Sequence, residues 1–210
     1  MKYYRELKEL IPKSTDILFI GDSIFQFWPQ AIINKYTGGK SSFKFAVGSD
    51  RTQSILWRLQ DTNLQPLNPQ RVVLLMGTNN LGDSAPACAV LVATKQILDR
   101  IYKMWPNVSV TIVEVLPREE GFTGRQEQRL SLNAQLRTLK DLYPKLTTVN
   151  VDYQMSCGIV ADPLQQSGNP PSEMKDVQCG NFLPDLVHPA PPGYEVLGAA
   201  LQPFFTDQGK

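Results

Sequence analysis

The stretch Asp16-Ile-Leu-Phe-Ile-Gly-Asp-Ser23 decides the fold of this 210-residue chain. Its first half is a short, unbroken apolar run, and its second half is a Gly-Asp-Ser turn that leads into an apolar-rich helical pattern. A strand at the centre of a parallel sheet is covered on both faces, so its sequence is apolar at successive positions and does not alternate. The stretch therefore predicts a buried parallel strand followed directly by a turn and a helix.

The same pattern recurs along the chain. Four more apolar runs predict strands: Phe43–Val47, Arg71–Met76, Val108–Leu116 and Leu146–Asp152. Amphipathic patterns typical of helices separate these runs, and the last of them covers Tyr194–Phe205. Alternating strands and helices at this spacing indicate right-handed βαβ units. The sequence therefore predicts an α/β fold with a five-stranded parallel sheet in flavodoxin-like order and helices on both faces.

The chain length and one irregular segment set the domain organisation. A chain of 210 residues is expected to form one domain, here spanning 1–210. Residues 153–183 show no clear period and hold several glycines and prolines, which predicts a long loop insertion. Cys157 and Cys179 flank this segment, and the sequence leaves open whether they pair. Cys88 precedes an apolar helical stretch and is expected in the core.

Composition excludes several classes of function. The 21 basic and 20 acidic residues give a net charge of +1 with no basic stripe, so no nucleic-acid partner is expected. No apolar run approaches the length of a transmembrane segment. The charged start is unlike a secretory signal, so we expect a cytoplasmic protein, although a truncated secreted chain would begin in the same way. One histidine, three cysteines and no Cys-x-x-Cys pair predict no metal site.

Polar residues suited to catalysis follow the predicted strands. Ser23 follows the first strand, Gly48 the second and Asn79 the third, while Asp185 and His188 come before the final helix. Ligands of open α/β sheets bind outside the carboxyl ends of the strands. The sequence therefore predicts that these residues, including the chain's single histidine, meet at one edge of the sheet.

These residue types suit acyl transfer. A serine hydroxyl needs a base to become a good nucleophile, and His188 can accept its proton near neutral pH. Asp185, three residues earlier, can reach the second ring nitrogen and hold the imidazole. The backbone N–H groups of Ser23 and Gly48 and the Asn79 amide can bind the oxyanion of the tetrahedral intermediate.

Each motif taken alone has a simpler explanation. A Gly-Asp-Ser turn can merely cap a helix, and an Asp-x-x-His pair is more often a surface feature. Taken together and in this order, the motifs favour catalysis. Phe25, Phe27 and Trp28 are expected in the core, with a place beside the substrate left open for one of them. Asp50 and Arg51 are expected to pair locally.

The motifs together resemble the SGNH or GDSL hydrolase family, and within it the catalytic subunits of intracellular platelet-activating-factor acetylhydrolase. The resemblance rests on Ile17-Leu-Phe-Ile-Gly-Asp-Ser23, Ile55-Leu-Trp-Arg-Leu59, Gly77-Thr-Asn-Asn80, Leu116-Pro-Arg118, Asp185-Leu-Val-His188 and Gly193-Tyr194. It implies a three-layer α/β/α fold and ester hydrolysis without a cofactor. By the same resemblance, Ser23 is the nucleophile, His188 the base and Asp185 its partner, and Ser23, Gly48 and Asn79 form the oxyanion hole.

The leading hypothesis is a serine ester hydrolase that acts on small acyl esters, with acetyl as the expected group. Three alternatives stay open: a carbohydrate O-acetylesterase, a lysophospholipase or thioesterase, and a binding protein without activity on the same scaffold. The expected partner is accordingly a small-molecule, glycan or lipid ester. The resemblance also leaves a homodimer open, because that group pairs as dimers.

Overall fold

The computed structural model of the protein describes residues 2–160 and 179–206. The strands are β1 (Ile17–Gly21), β2 (Ser42–Ala46), β3 (Arg71–Leu75), β4 (Ser109–Val113) and β5 (Leu146–Val149). The α-helices are α1 (Lys2–Glu9), α2 (Ser23–Gln26), α3 (Gln30–Tyr36), α4 (Thr52–Asp61), α5 (Thr78–Gly82), α6 (Ala87–Met104), α7 (Gln126–Thr138), α8 (Asp152–Met155) and α9 (Pro191–Thr206). Short 3₁₀ turns cover Gln65–Leu67, Glu120–Phe122 and Leu139–Asp141.

The five strands form one parallel sheet in the order β2-β1-β3-β4-β5. This is the flavodoxin-like order that the sequence predicts. Strand β1 lies between β2 and β3, with Ile17 level with Ser42 on one side and Arg71 on the other. The carboxyl ends of β1, β2 and β3 therefore bring the loops that follow them to one edge of the sheet.

A hydrophobic core lies on each face of the sheet. Leu18 and Ile20 of β1 belong to the core beneath α1, α4, α6 and α7, whereas Ile17 and Phe19 belong to the core beneath α2, α3, α8 and α9. Successive side chains of a strand point to opposite faces, so a strand covered on both sides must be apolar at every position. This explains the unbroken apolar run from which the fold was predicted.

Two local expectations need correction or refinement. The apolar stretch after Ser23 forms two helices, α2 and α3, and Pro29 lies at the N-cap between them. Cys88 is exposed, so its expected place in the core is wrong. It lies in the first turn of α6, where Ala87 and Val90 take the inward-facing positions and turn Cys88 toward solvent.

The predicted insertion at 153–183 begins within α8 and continues as turns to residue 160. Residues 161–178 lie outside the described part of the chain. The question that the sequence left open for the two cysteines has an answer, because Cys157 and Cys179 form a disulfide. This bond ties the chain after α8 to the segment that leads to His188.

Candidate active site

Ser23 lies at the junction of β1 and α2, where the chain turns sharply at the edge of the sheet. It is the first residue of α2, and the preceding Asp22 caps this helix by accepting the Ile24 N–H at 3.0 Å. Ser23 is only 7% exposed. Its Oγ lies 2.8 Å from His188 Nε2, a distance at which the imidazole can accept the hydroxyl proton.

His188 is held by the carboxylate of Asp185. Asp185 Oδ2 lies 2.6 Å from His188 Nδ1, and Oδ1 accepts the backbone N–H groups of Val187 and His188, each at 2.9 Å. Burial acts to raise the pKa of Asp185, but these two N–H groups and the imidazole outweigh it and hold the pKa below its usual value. Asp185 is therefore ionised at neutral pH and favours the tautomer that carries its proton on Nδ1.

The start of α9 fixes the segment that carries His188. Asn181 O accepts the Ala190 N–H at 2.8 Å. A Cβ on Gly193 would lie 2.1 Å from that same oxygen, so only glycine allows this approach. The next residue, Tyr194, donates its hydroxyl to Ile24 O in α2 at 2.9 Å. The histidine segment and the serine helix are thus joined through α9.

Gly48 lies against Ser23, but its N–H group already has an acceptor. A Cβ on Gly48 would be 3.7 Å from the Cβ of Ser23. The Gly48 N–H donates to the side-chain oxygen Oε1 of Gln26 at 2.5 Å. Gln26 is a residue of the site that the sequence motifs do not include. Its spacing in the sequence could have identified it, because Gln26 lies three residues after Ser23 on the same helix and therefore faces the same side.

Asn79 joins the site through the loop that follows β2. It is the second residue of α5, which begins after Gly77 in a left-handed conformation (φ 109°). Asn79 Nδ2 donates to the backbone oxygen of Asp50 at 2.9 Å. An amide NH₂ group carries two hydrogens, so this bond leaves one for a ligand. The structure thus brings Asn79 to the loop that holds Gly48.

The expected local pair of Asp50 and Arg51 is wrong. Asp50 pairs with Arg58 at 2.6 Å, whereas Arg51 pairs with Asp83. Arg51 is exposed at the N-cap position of α4 and makes no side-chain capping bond, while Arg58 lies further along the helix on its buried side. Burial raises the pKa of Asp50, and the guanidinium of Arg58 opposes this rise.

Asp22 is a buried carboxyl next to the nucleophile position. Its Oδ2 has no hydrogen-bond partner among the residues that the structure describes. Burial raises the pKa of Asp22 to about 7, although the Ile24 N–H and the nearby His188 both act to lower it. Asp22 therefore changes protonation close to neutral pH.

One of the three aromatic residues after Ser23 reaches the site. Phe25 and Trp28 are buried in the core, as expected. Phe27 is 56% exposed, and its ring centroid lies 5.6 Å from that of His188. Phe27 therefore provides an apolar surface beside the imidazole.

Two observations bear on ligands and surroundings. Within residues 2–160 and 179–206, no group of three or more histidine, cysteine or acidic side chains could hold a metal ion. No helix in the same ranges has the length and apolar character needed to cross a membrane.

A cavity of about 330 Å³ adjoins the Gly48 loop on the α4 side, lined by Tyr4, Val47, Asp50, Gln53, Ser54, Trp57 and Arg58.

The chain is similar in sequence to known proteins. Residues 19–196 match the sequence model described as the GDSL-like Lipase/Acylhydrolase family. The chain is 28% identical over 151 residues to platelet-activating factor acetylhydrolase IB subunit alpha1 of Rattus norvegicus, covering 71% of this chain and 64% of that protein. It is 31% identical over 150 residues to the IB subunit beta homolog of Drosophila melanogaster, covering 70% of this chain and 65% of that protein. The chain thus matches just under two thirds of these relatives.

The fold has a solved counterpart. A GDSL-like lipase from Bacteroides thetaiotaomicron superposes with a TM-score of 0.71 at 19% identity, covering 97% of this chain and 96% of the other. At this level of identity the likeness establishes the three-layer α/β fold, which the sequence predicted.

Proposed function

Since this chain belongs to the GDSL-like lipase/acylhydrolase family, we propose that it is a serine esterase in which Ser23, His188 and Asp185 form the catalytic triad. The observation that carries the proposal is the continuous hydrogen-bonded row from Ser23 Oγ to His188 Nε2 and from His188 Nδ1 to Asp185 Oδ2. This is the arrangement that acyl transfer requires of a nucleophile, a base and the group that orients the base.

The first half of the proposed reaction forms an acyl-enzyme. Ser23 Oγ attacks the ester carbonyl carbon while His188 Nε2 takes the hydroxyl proton. Asp185, ionised at neutral pH, stabilises the imidazolium that results. The tetrahedral intermediate then collapses, the bond to the leaving alcohol breaks, and His188 returns the proton to the alcohol oxygen. The acyl group stays bound to Ser23.

The second half releases the acid. A water molecule gives a proton to His188 and attacks the acyl carbon. The second tetrahedral intermediate collapses, the bond between Ser23 Oγ and the acyl carbon breaks, His188 returns its proton to Ser23 Oγ, and the carboxylic acid leaves. In both halves the carbonyl oxygen gains negative charge. We assign its stabilisation to the N–H groups of Ser23 and Gly48 and to the second amide hydrogen of Asn79.

The contact between Gln26 and Gly48 adds a step to this scheme. In the structure the Gln26 side-chain oxygen accepts the Gly48 N–H, which is the bond that a substrate carbonyl would make. An amide oxygen and an ester carbonyl oxygen are similar acceptors. The substrate must therefore displace the Gln26 side chain before the Gly48 N–H can bind the oxyanion.

We propose small acyl esters, with acetyl as the preferred group, as the substrate class. Support comes from the sequence likeness to proteins named acetylhydrolases. The exposed ring of Phe27 beside His188 further supports it, because it offers a small apolar contact next to the reacting centre. The proposed reaction uses only side chains of the protein and water, so it needs no cofactor.

The test is hydrolysis of p-nitrophenyl acetate by the wild-type protein and Ser23→Ala. We expect the substitution to remove nearly all activity, because no other group replaces the nucleophile. Ser131→Ala, an exposed serine on α7, is the matched control and should keep wild-type activity. Equal rates for wild type and Ser23→Ala would overturn the proposal.

A series of p-nitrophenyl esters with acyl chains of two to ten carbons tests the substrate class. We expect the highest kcat/KM at two carbons and a decline as the chain lengthens. A maximum at eight or more carbons would contradict the short-acyl assignment and favour a lipase-like or thioesterase-like substrate, without affecting the assignment of Ser23.

A further inference from the structure

A buried arginine connects the loops that carry all three proposed oxyanion donors. Arg58 of α4 is 2% exposed. Its guanidinium donates to Asp50 Oδ2 at 2.6 Å and to the backbone oxygens of Phe45 and Gly21, both at 3.2 Å. We propose that Arg58 is a positioning residue that fixes the oxyanion donors relative to one another. This inference rests on the proposed esterase function.

The bond to Gly21 reaches the loop of the nucleophile. Gly21 is the last residue of β1 and lies two residues before Ser23. Its backbone oxygen accepts from Arg58 and also from the Val47 N–H at 3.2 Å. Val47 directly precedes Gly48, so this one carbonyl oxygen joins the Ser23 loop to the Gly48 loop, and Arg58 binds at the junction.

The bond to Asp50 reaches the other two donors. The Asp50 N–H donates to the Val47 oxygen at 3.2 Å and closes a turn around Gly48. The Asp50 backbone oxygen accepts the amide of Asn79 at 2.9 Å. Arg58 binds the side chain of Asp50. The backbone of Asp50 in turn closes the Gly48 turn and orients the Asn79 amide.

The chemistry of this position suits arginine and not lysine. A guanidinium presents five donors in a rigid plane, which allows it to bind one carboxylate and two carbonyl oxygens in fixed directions. It also lies over the ring of Phe45, with Cζ 4.6 Å from the ring centroid. A lysine could keep the ion pair with Asp50, but a single ammonium could not hold both carbonyl oxygens in place.

The experiment compares two buried ion pairs. Arg58→Lys and Asp50→Asn perturb the proposed positioning pair. Arg129→Lys and Asp152→Asn are the matched controls, because Arg129 and Asp152 are also joined at 2.6 Å, are 0% and 1% exposed, and make no hydrogen bond to the donor loops among the described residues. For each variant, kcat and KM for p-nitrophenyl acetate are measured between pH 5 and 9 and normalised to the folded fraction.

A positioning role has a specific kinetic signature. Loss of one oxyanion donor lowers kcat by about 100-fold or more, so misplaced donors should lower kcat by about 10- to 100-fold. KM should stay within about twofold, because the donors act on the transition state. In Arg58→Lys, which keeps the positive charge, the midpoint of the pH profile should not move, because the charges around His188 and Asp185 are unchanged. Asp50→Asn is compared by kcat and KM alone, because the Asp50 carboxylate acts to raise the pKa of Asp22 near His188. The control variants should melt at lower temperature but keep wild-type kcat.

Failure of this inference is distinguishable from failure of the proposed function. If Ser23→Ala is inactive while folded Arg58→Lys and Asp50→Asn keep wild-type kcat, the positioning role is overturned and the esterase stands. An equal fall of kcat in the control variants, or a shifted pH midpoint in Arg58→Lys, also overturns it. If Ser23→Ala is as active as wild type, the esterase proposal itself fails.

Discussion

The two carboxylate oxygens of Asp185 have different hydrogen-bond partners, and the substitution Asp185→Asn distinguishes their two roles. Oδ1 accepts two backbone N–H groups and shapes the turn before His188, whereas Oδ2, among the residues that the structure describes, accepts from the imidazole alone. The amide oxygen of asparagine can keep the first role. Its NH₂ group then faces His188 Nδ1 and donates to it, so Nδ1 becomes an acceptor. The ring proton moves to Nε2, which can no longer take the proton of Ser23.

The size of the expected fall in kcat follows from this change of tautomer and from the solvent exposure of the Asp185 side chain. Where the aspartate of such a triad is buried, the same substitution lowers kcat by about 10⁴-fold. The Asp185 side chain is 48% exposed, so water can partly replace its oxygen and solvent screens its charge. We therefore expect kcat to fall by about 100- to 1,000-fold, with the smaller loss reflecting this screening.

The assay is steady-state hydrolysis of p-nitrophenyl acetate at pH 7.5, together with thermal unfolding. Asp185→Ala is the comparison, because it removes both roles of the carboxylate. We expect both variants to lose similar amounts of kcat, but only the alanine variant to melt at a clearly lower temperature. Retention of more than one tenth of wild-type kcat by Asp185→Asn would refute the reasoning about the tautomer.

Three further predictions concern residues around the site. Gln26→Glu should lower kcat/KM at least tenfold, because a carboxylate binds the Gly48 N–H more strongly than an amide does and repels the forming oxyanion; unchanged steady-state kinetics would contradict this. Burial raises the pKa of Asp22 to about 7 in the folded state, so its stability contribution is present below the unfolded pKa and is lost as pH rises through about 7. In urea unfolding at pH 5 and pH 8, Asp22→Asn should therefore gain stability relative to wild type at the higher pH, and an unchanged difference would count against it. The double variant Cys157→Ser, Cys179→Ser removes a crosslink between residues 22 positions apart and should lower the free energy of unfolding by about 3 kcal/mol; a loss below about 1 kcal/mol would disagree.

Much of the fold could be predicted, because buried strands require apolar residues at successive positions and such runs are visible in the sequence. Strand β1 is buried at every position, and the unbroken apolar run of Ile17–Gly21 shows this without any structure. The positions of Ser23, Gly48 and Asn79 after successive strands follow from the topology, because parallel strands end at the same edge of the sheet. The predicted meeting of Ser23 with His188 and Asp185 is found in the structure, although Ser23 and His188 lie 165 positions apart in the sequence.

The side-chain partners could not be predicted, because they depend on packing between distant segments. An arginine on a helix is normally exposed, and nothing in its sequence context shows that the carbonyl oxygens of Gly21 and Phe45 lie within reach of Arg58. The bond from Gly48 to Gln26 likewise depends on how the β2 loop folds over α2. The expectation of Cys88 in the core is wrong, because an apolar stretch alone does not fix which side of the first turn of a helix faces the core.

Covalent labelling of Ser23 tests the central claim most directly. A fluorophosphonate reacts with a serine only where a base and oxyanion donors activate it. We predict one adduct on the wild-type protein, located at Ser23 by peptide mass spectrometry, none on Ser23→Ala and much slower labelling of His188→Ala. A folded wild-type protein that stays unlabelled, or that carries its adduct on another residue, would contradict the account.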